Sequence, residues 1–102
     1  WISGDSADGG NWFGAGVTVD PTAVVLDCAI GMKAEISASC SLVSSALLDY
    51  VSIASGSELQ GCMVGNNAQI GSGCKLQNVV IDHHSTIPDG HVQIGGTYPT
   101  AD

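Results

Sequence analysis

Large apolar side chains recur in this chain at every seventeenth residue, in three interleaved columns. The first column is Phe13, Ile30, Leu47, Val64 and Ile81, and the second is Val19, Ile36, Ile53, Ile70 and Ile87. The third is Val25, Leu42, Leu59 and Leu76, ending on Gln93. Fourteen of these fifteen positions are large and apolar, against about four expected from composition, so the period is real. Within one period the apolar residues stand 6, 6 and 5 apart. A helix would set them three and four apart. Six residues suit a short strand and a turn, so three such sides close one triangular coil. Stacked coils then lie strand on strand, about 4.8 Å apart in parallel register. The pattern predicts an all-β solenoid of five coils, residues 13–97.

A second set of columns stands two places before the large residues. Ahead of the second column are Val17, Ala34, Val51, Ala68 and Ser85, and ahead of the third are Ala23, Cys40, Ser57, Cys74 and His91. Ahead of each new coil are Cys28, Ser45, Cys62 and Val79. Nearly all are small. Residues i and i−2 share one face of an extended chain, so each corner is expected to hold one large and one small inward side chain. Gly16, Gly56, Asn67, Gly73 and Gly90 fall at the turns, where positive φ is expected and Gly and Asn tolerate it.

Solenoid ends need covering. Segment 1–12 supplies Trp1, Ile2 and Trp12, which suit a cap. Its Gly4, Asp5, Ser6, Asp8, Gly9 and Gly10 suit a linker, and the two readings stand side by side. At the other end Gln93 breaks the aliphatic column. A one-residue slip that brings in Val92 or Ile94 is the expected remedy, with 98–102 as a short tail.

Charge narrows the function. The chain has 102 residues and a formal charge of −8, and its two basic residues are Lys33 and Lys75. Nucleic acid and anionic membranes are excluded as partners, because phosphate contacts need several Lys or Arg side chains. No arginine is present to clamp a phosphorylated ligand in bidentate fashion. No apolar run approaches the length of about 18 residues that a transmembrane helix needs. The chain starts at Trp1 rather than Met, which is expected of a processed chain or a piece of a longer one.

Four cysteines add a geometric test. Cys28 and Cys62 share one column and Cys40 and Cys74 another, each pair two coils apart. That is about 9.6 Å, beyond the roughly 7 Å Cα separation that a disulfide tolerates. Four free thiols are therefore expected, acting as small buried apolar residues in a reducing, cytoplasmic compartment. No CxxC spacing supports zinc, and neither metal nor cofactor is expected. Tyr50, Met63, Leu48, Val43 and Leu26 are expected to form one apolar outer face, of the kind that marks an interface. The scattered Asp20, Asp27, Asp49, Asp82 and Asp89 read as solvated surface.

The hexads Ile30-Gly31-Met32-Lys33-Ala34-Glu35, Ile53-Ala54-Ser55-Gly56-Ser57-Glu58 and Ile70-Gly71-Ser72-Gly73-Cys74-Lys75 share a rule. An aliphatic residue is followed by Gly or Ala, and the fifth place is small. This resembles the hexapeptide-repeat family over about 85 residues, and the resemblance implies a left-handed parallel β-helix. The hand comes from the resemblance alone, since ordinary crossovers are right-handed. The run from Val79-Val80-Ile81-Asp82 through Ile87-Pro88-Asp89-Gly90, then Ile94-Gly95, resembles the closing segment of bacterial ADP-glucose pyrophosphorylases. An extra Gln93 before Ile94-Gly95 and the lack of basic residues depart from it. Segment 12–25 looks more like the mannose-1-phosphate guanylyltransferase type.

What the resemblance implies is the non-catalytic C-terminal β-helix of a sugar-1-phosphate nucleotidyltransferase, of glucose-1-phosphate adenylyltransferase kind. Its expected role is homo-oligomerisation and packing against a catalytic domain that precedes Trp1. Nucleotidyl transfer relies on concentrated positive charge, which this chain does not carry. The alternatives are a free-standing acyltransferase-like protein, active as a trimer, and a structural interaction module. Hexapeptide acyltransferases use a histidine as general base, which makes His83 and His84 the candidates. Their plainer reading is an exposed pair at the C-terminal end. His91 falls in an inward column, where it either caps the open end or meets a neighbour.

Overall fold

The computed structural model describes residues 10–99 as an all-β parallel solenoid of about five turns. No described residue is helical, and no helix is long and apolar enough to cross a membrane. Each strand is two or three residues long. The first face stacks Trp12–Phe13, Ala29–Ile30, Ala46–Leu47, Met63–Val64, Val80–Ile81 and Thr97–Tyr98. The second stacks Thr18–Val19, Glu35–Ile36, Ser52–Ile53, Gln69–Ile70 and Thr86–Ile87. The third stacks Val24–Leu26, Ser41–Val43, Glu58–Gln60, Lys75–Gln77 and Val92–Ile94. Every pairing is parallel and joins residues seventeen apart, as in Phe13 with Ile30 and Ile53 with Ile70.

The three apolar columns become three internal ladders. Ile30, Leu42, Ile53, Leu59, Ile81 and Ile87 are each at most 2% exposed. The small column fills the space beside them, with Ala34, Val51, Ala68, Cys74 and Val79 fully buried. Ser45 and Ser57 replace cysteine in alternate coils without leaving a polar group unsatisfied. Ser57 Oγ donates to the Gly71 carbonyl at 2.6 Å and accepts the Cys74 N–H at 3.1 Å. Ser45 Oγ donates to the Val43 carbonyl and accepts the Cys62 N–H.

Most corners turn through one left-handed residue. The predicted Gly16, Gly56, Asn67, Gly73 and Gly90 all have positive φ. So do Lys33, Tyr50 and His84, at 57°, 62° and 61°, in the column that Gly16 begins. Asp27, Ser44 and Asn78 do the same at the third corner. A side chain in this region costs roughly 1–2 kcal/mol per residue, so tertiary register overrides local preference at these positions.

The ends differ from the sequence expectation. Gln93 keeps its register against Leu76, and no slip occurs. Val92 and Ile94 instead point outward, at 63% and 74% exposed. The reason is hydrogen bonding. Gln93 Nε2 donates to the carbonyls of Gly95 and Thr97, both at 3.0 Å, and Oε1 meets His91 Nε2 at 2.8 Å. Among the described residues no coil stacks on this level, and an amide that satisfies its exposed carbonyls suits it better than an aliphatic chain. Tyr98 extends the first ladder one residue beyond 97, pairing with Ile81 and setting its ring edge-on to His91 at 5.1 Å. His91 thus stands half-buried at the last described level. At the other end buried Asn11 accepts the Cys28 N–H and donates to the Val25 carbonyl. Of the segment 1–12 expected as cap or linker, residues 1–9 lie outside the described residues, while Trp12 belongs to the first strand of the first face and is exposed.

Glycine after an aliphatic residue has a packing cause at Gly71. A Cβ there would sit 2.6 Å from the Asp89 nitrogen and 2.8 Å from the Ile87 carbonyl oxygen of the next coil. Neither backbone atom can yield cheaply. Gly71→Ala is therefore expected to destabilise the fold by about 1–3 kcal/mol, read by urea denaturation.

Candidate functional site

The corner after the first face carries a column of side-chain acceptors. Asp49 Oδ1 accepts the Met32 N–H, and Asn66 Oδ1 accepts the Asp49 N–H, both at 3.0 Å. His83 Nδ1 continues the series and accepts the Asn66 N–H at 2.8 Å. Each of these bonds ties one coil to the next. The contact fixes the His83 tautomer, because an accepting Nδ1 leaves the proton of the neutral ring on Nε2. The lone pair that a general base would use is occupied by the fold. The nearby Asp82 carboxylate accepts the backbone N–H of His83 at 2.8 Å. His84 is exposed and holds the left-handed corner, its N–H donated to the Asn66 carbonyl. The structure therefore brings His83 and His84 to one corner but sets His83 in a structural bond.

The thiols stand as the columns placed them. Cys28, Cys40, Cys62 and Cys74 are free and buried. Their sulfurs donate to backbone carbonyls, Cys40 to Ala54 and Cys74 to Pro88 across a corner, Cys28 and Cys62 two residues back. Burial pushes the Cys28 thiol above its ordinary range, against the lowering effect of nearby backbone hydrogen bonds. Asp20 moves the other way. The Thr22 hydroxyl and N–H both donate to its carboxylate and hold it below the usual range. Among the described residues no group of three His, Cys, Asp or Glu side chains could hold a metal ion.

The outer surface divides into three unlike faces. The expected single patch of Tyr50, Met63, Leu48, Val43 and Leu26 does not form. Met63 and Leu48 belong to the first face, Leu26 and Val43 to the third, and Tyr50 to the corner after the first. Outward residues of the second face are polar: Thr18, Glu35, Ser52, Gln69 and Thr86. A shallow groove of about 610 Å³ runs there past Ser52, Gln69, Thr86 and Asp89. The third face mixes Glu58 and Lys75 with Val92 and Ile94 around a groove of about 340 Å³. Of the three faces only the first has no charged residue among its outward strand positions, Trp12, Ala29, Ala46, Met63, Val80 and Thr97. Its groove of about 200 Å³ is lined by Ala46, Leu48, Met63 and Val80. The signal was in the sequence, since these residues directly precede the first ladder at the same seventeen-residue spacing.

Comparison with known proteins follows the same outline. The family model for the GMPPB C-terminal domain matches residues 9–97. A glucose-1-phosphate adenylyltransferase of Pasteurella multocida (strain Pm70) is 42% identical over 55 residues, which is 54% of this chain. That stretch is 12% of the relative's length, so the chain spans a small part of that enzyme. Among solved structures, a perosamine N-acetyltransferase from Caulobacter crescentus, in complex with CoA and GDP-perosamine, superposes with a TM-score of 0.57. The identity is 22%, over 83% of this chain and 47% of that chain, and the likeness shows the fold alone.

Two outcomes are expected. His83→Asn should keep the wild-type stability, because an Asn side chain already accepts the same bond at Asn66, whereas His83→Leu should lose about 1 kcal/mol. Denaturation curves of the two variants check this. For Cys28, the folded chain keeps the thiol proton at a pH where the unfolded chain has released it. The unfolding free energy should then fall as pH rises through the ordinary thiol range, with a shallower slope in Cys28→Ala.

Proposed function

Because the chain belongs to the GMPPB C-terminal domain family, we propose that it is the non-catalytic β-helix end of a sugar-1-phosphate nucleotidyltransferase. The glucose-1-phosphate adenylyltransferase type is the version we favour. In that setting the solenoid serves oligomerisation and packs against a catalytic domain, with the left-handed winding of its family. The observation that carries this reading is the coincidence of two limits. The family match over 9–97 and the stacked ladders over Phe13–Tyr98 cover nearly the same residues. The 55-residue match to the adenylyltransferase supports the finer choice. Four buried free thiols are consistent with a reducing cytoplasmic compartment.

The charge of the chain fits a supporting role. Nucleotidyl transfer stabilises developing charge on phosphate oxygens with cationic side chains or metal ions. With two lysines and no arginine, that task falls to another part of the enzyme. An acyltransferase reading draws on the perosamine N-acetyltransferase likeness only for its fold. It would also require His83 to give up the Asn66 bond before acting as a base.

The test is the size of the native polypeptide. An antibody raised to this domain should detect a band several times larger than the 10.3 kDa of this chain in an extract of its source. A native band near 10.3 kDa would overturn the proposal.

A further inference from the structure

The groove on the first face is apolar along its walls and charged at one end. Ala46, Leu48, Met63 and Val80 supply the walls, and Asp82 and His83 close the end beside Val80. Its shape follows from one position. Leu48, Gly65 and Asp82 occupy successive coils of one column, so Gly65 leaves a notch without a side chain between the other two. Two strand spacings set Leu48 and Asp82 about 9.6 Å apart. Glycine is required in between, because a Cβ on Gly65 would stand 2.6 Å from the His83 backbone nitrogen and 2.7 Å from His83 Nδ1. The His83 contact that ties the coils together at Asn66 therefore also keeps the notch open.

Charge selects what the notch can hold. Asp82 is the acid among the lining residues. Its Oδ1 accepts the His83 N–H at 2.8 Å, which leaves Oδ2 for a donor from outside. Asp49 of the same corner is turned to the coil below, where its Oδ1 accepts the Met32 N–H. Neither lysine of the chain lines the groove. Lys33 lies along its own corner beside Gly16, and Lys75 stands on the third face next to Glu58. An apolar trough that ends in a carboxylate fits a side chain with an aliphatic stem and a cationic head. The charge of −8 draws such a group from a basic partner and repels a second copy of the chain. Lysine suits the site better than arginine. A guanidinium binds a carboxylate best through both oxygens, and one oxygen of Asp82 is already bonded, so the point charge of an ammonium is the closer match.

We propose that this groove takes the side chain of a lysine projecting from a basic partner protein. Its methylenes lie against Leu48, Met63 and Val80, and its ammonium meets Asp82. The inference goes beyond the parent-enzyme reading and does not depend on it. A single side chain in an exposed groove binds weakly, so the dissociation constant for a lone lysine should be on the order of 1 mM. A partner that presents this lysine on a basic surface gains further from the charge of the whole chain, and that gain is lost in salt.

The probe is the capped peptide acetyl-Gly-Lys-Gly-amide, titrated into the 102-residue chain and followed by amide NMR shifts. The expected result is saturable shifts at Gly65, Asp82 and His83, half complete on the order of 1 mM peptide. A norleucine peptide keeps the stem without the charge and should bind at least about threefold more weakly. Asp82→Asn keeps an oxygen for the His83 N–H, so circular dichroism and melting should match wild type. Its binding of the lysine peptide should fall to the level of the norleucine peptide on wild type. Asp89→Asn removes the same charge at another corner, keeps its bond to the Ser72 N–H, and should bind as wild type does. The absence of saturable shifts up to about 20 mM peptide overturns the proposal. So does a norleucine peptide that binds wild type as tightly, which would mark a neutral apolar occupant and needs no variant to fold. So does an equal loss in Asp82→Asn and Asp89→Asn, which would mark general attraction to an acidic chain. None of these results changes the expected size of the native polypeptide, so failure here is distinct from failure of the parent-enzyme reading.

Discussion

The parallel backbone ladder between coils governs the rest of this molecule. The N–H groups of each strand meet carbonyls sixteen residues further on, as Gly31 meets Leu47 and Gly65 meets Ile81. The nearest neighbour of most side chains is therefore the side chain one period away. A column must consist of residues that can stack on one another, or else end in something that closes it. Aliphatic residues satisfy the first condition in all three ladders. Alternating serine and cysteine satisfy it in the small column, since each serine hydroxyl accepts from the coil above while donating to a carbonyl. Asp49, Asn66 and His83 satisfy it at a corner by accepting backbone N–H groups.

This rule explains which parts of the fold the sequence displayed. Residues such as Ile53 and Leu59 announced the ladders because buried positions admit few residue types. Gly56 and Asn67 announced corners because they suit positive φ. Lys33, Tyr50 and His84 hold the same conformation without announcing it. Their strain is imposed by the register of the coils above and below, which local preference does not encode. Gln93 breaks the aliphatic pattern only if its level is counted as interior. At the last described level a polar residue that bonds the Gly95 and Thr97 carbonyls is the better fit.

The functional surface was less legible for a related reason. Outward positions of a solenoid are free of the stacking constraint, so their residue types vary. The grouping of Leu26, Val43, Leu48, Tyr50 and Met63 rested on hydrophobicity, whereas the faces are set by direction. Direction follows from the strand phase: the residue immediately before each inward one points out. His83 shows the complementary difficulty. Chemically it is a candidate base, and only its Nδ1 contact with the Asn66 N–H reveals the structural task it performs.

The stacking rule also fixes how such a chain can change size. An insertion or loss of seventeen residues would move the ends by one strand spacing, about 4.8 Å, and leave every remaining column intact. A change of almost any other size would rotate all later side chains onto the wrong face. The prism is thus a ruler with a single graduation. Whatever it separates can be set nearer or farther by whole coils while the chemistry of its faces is preserved.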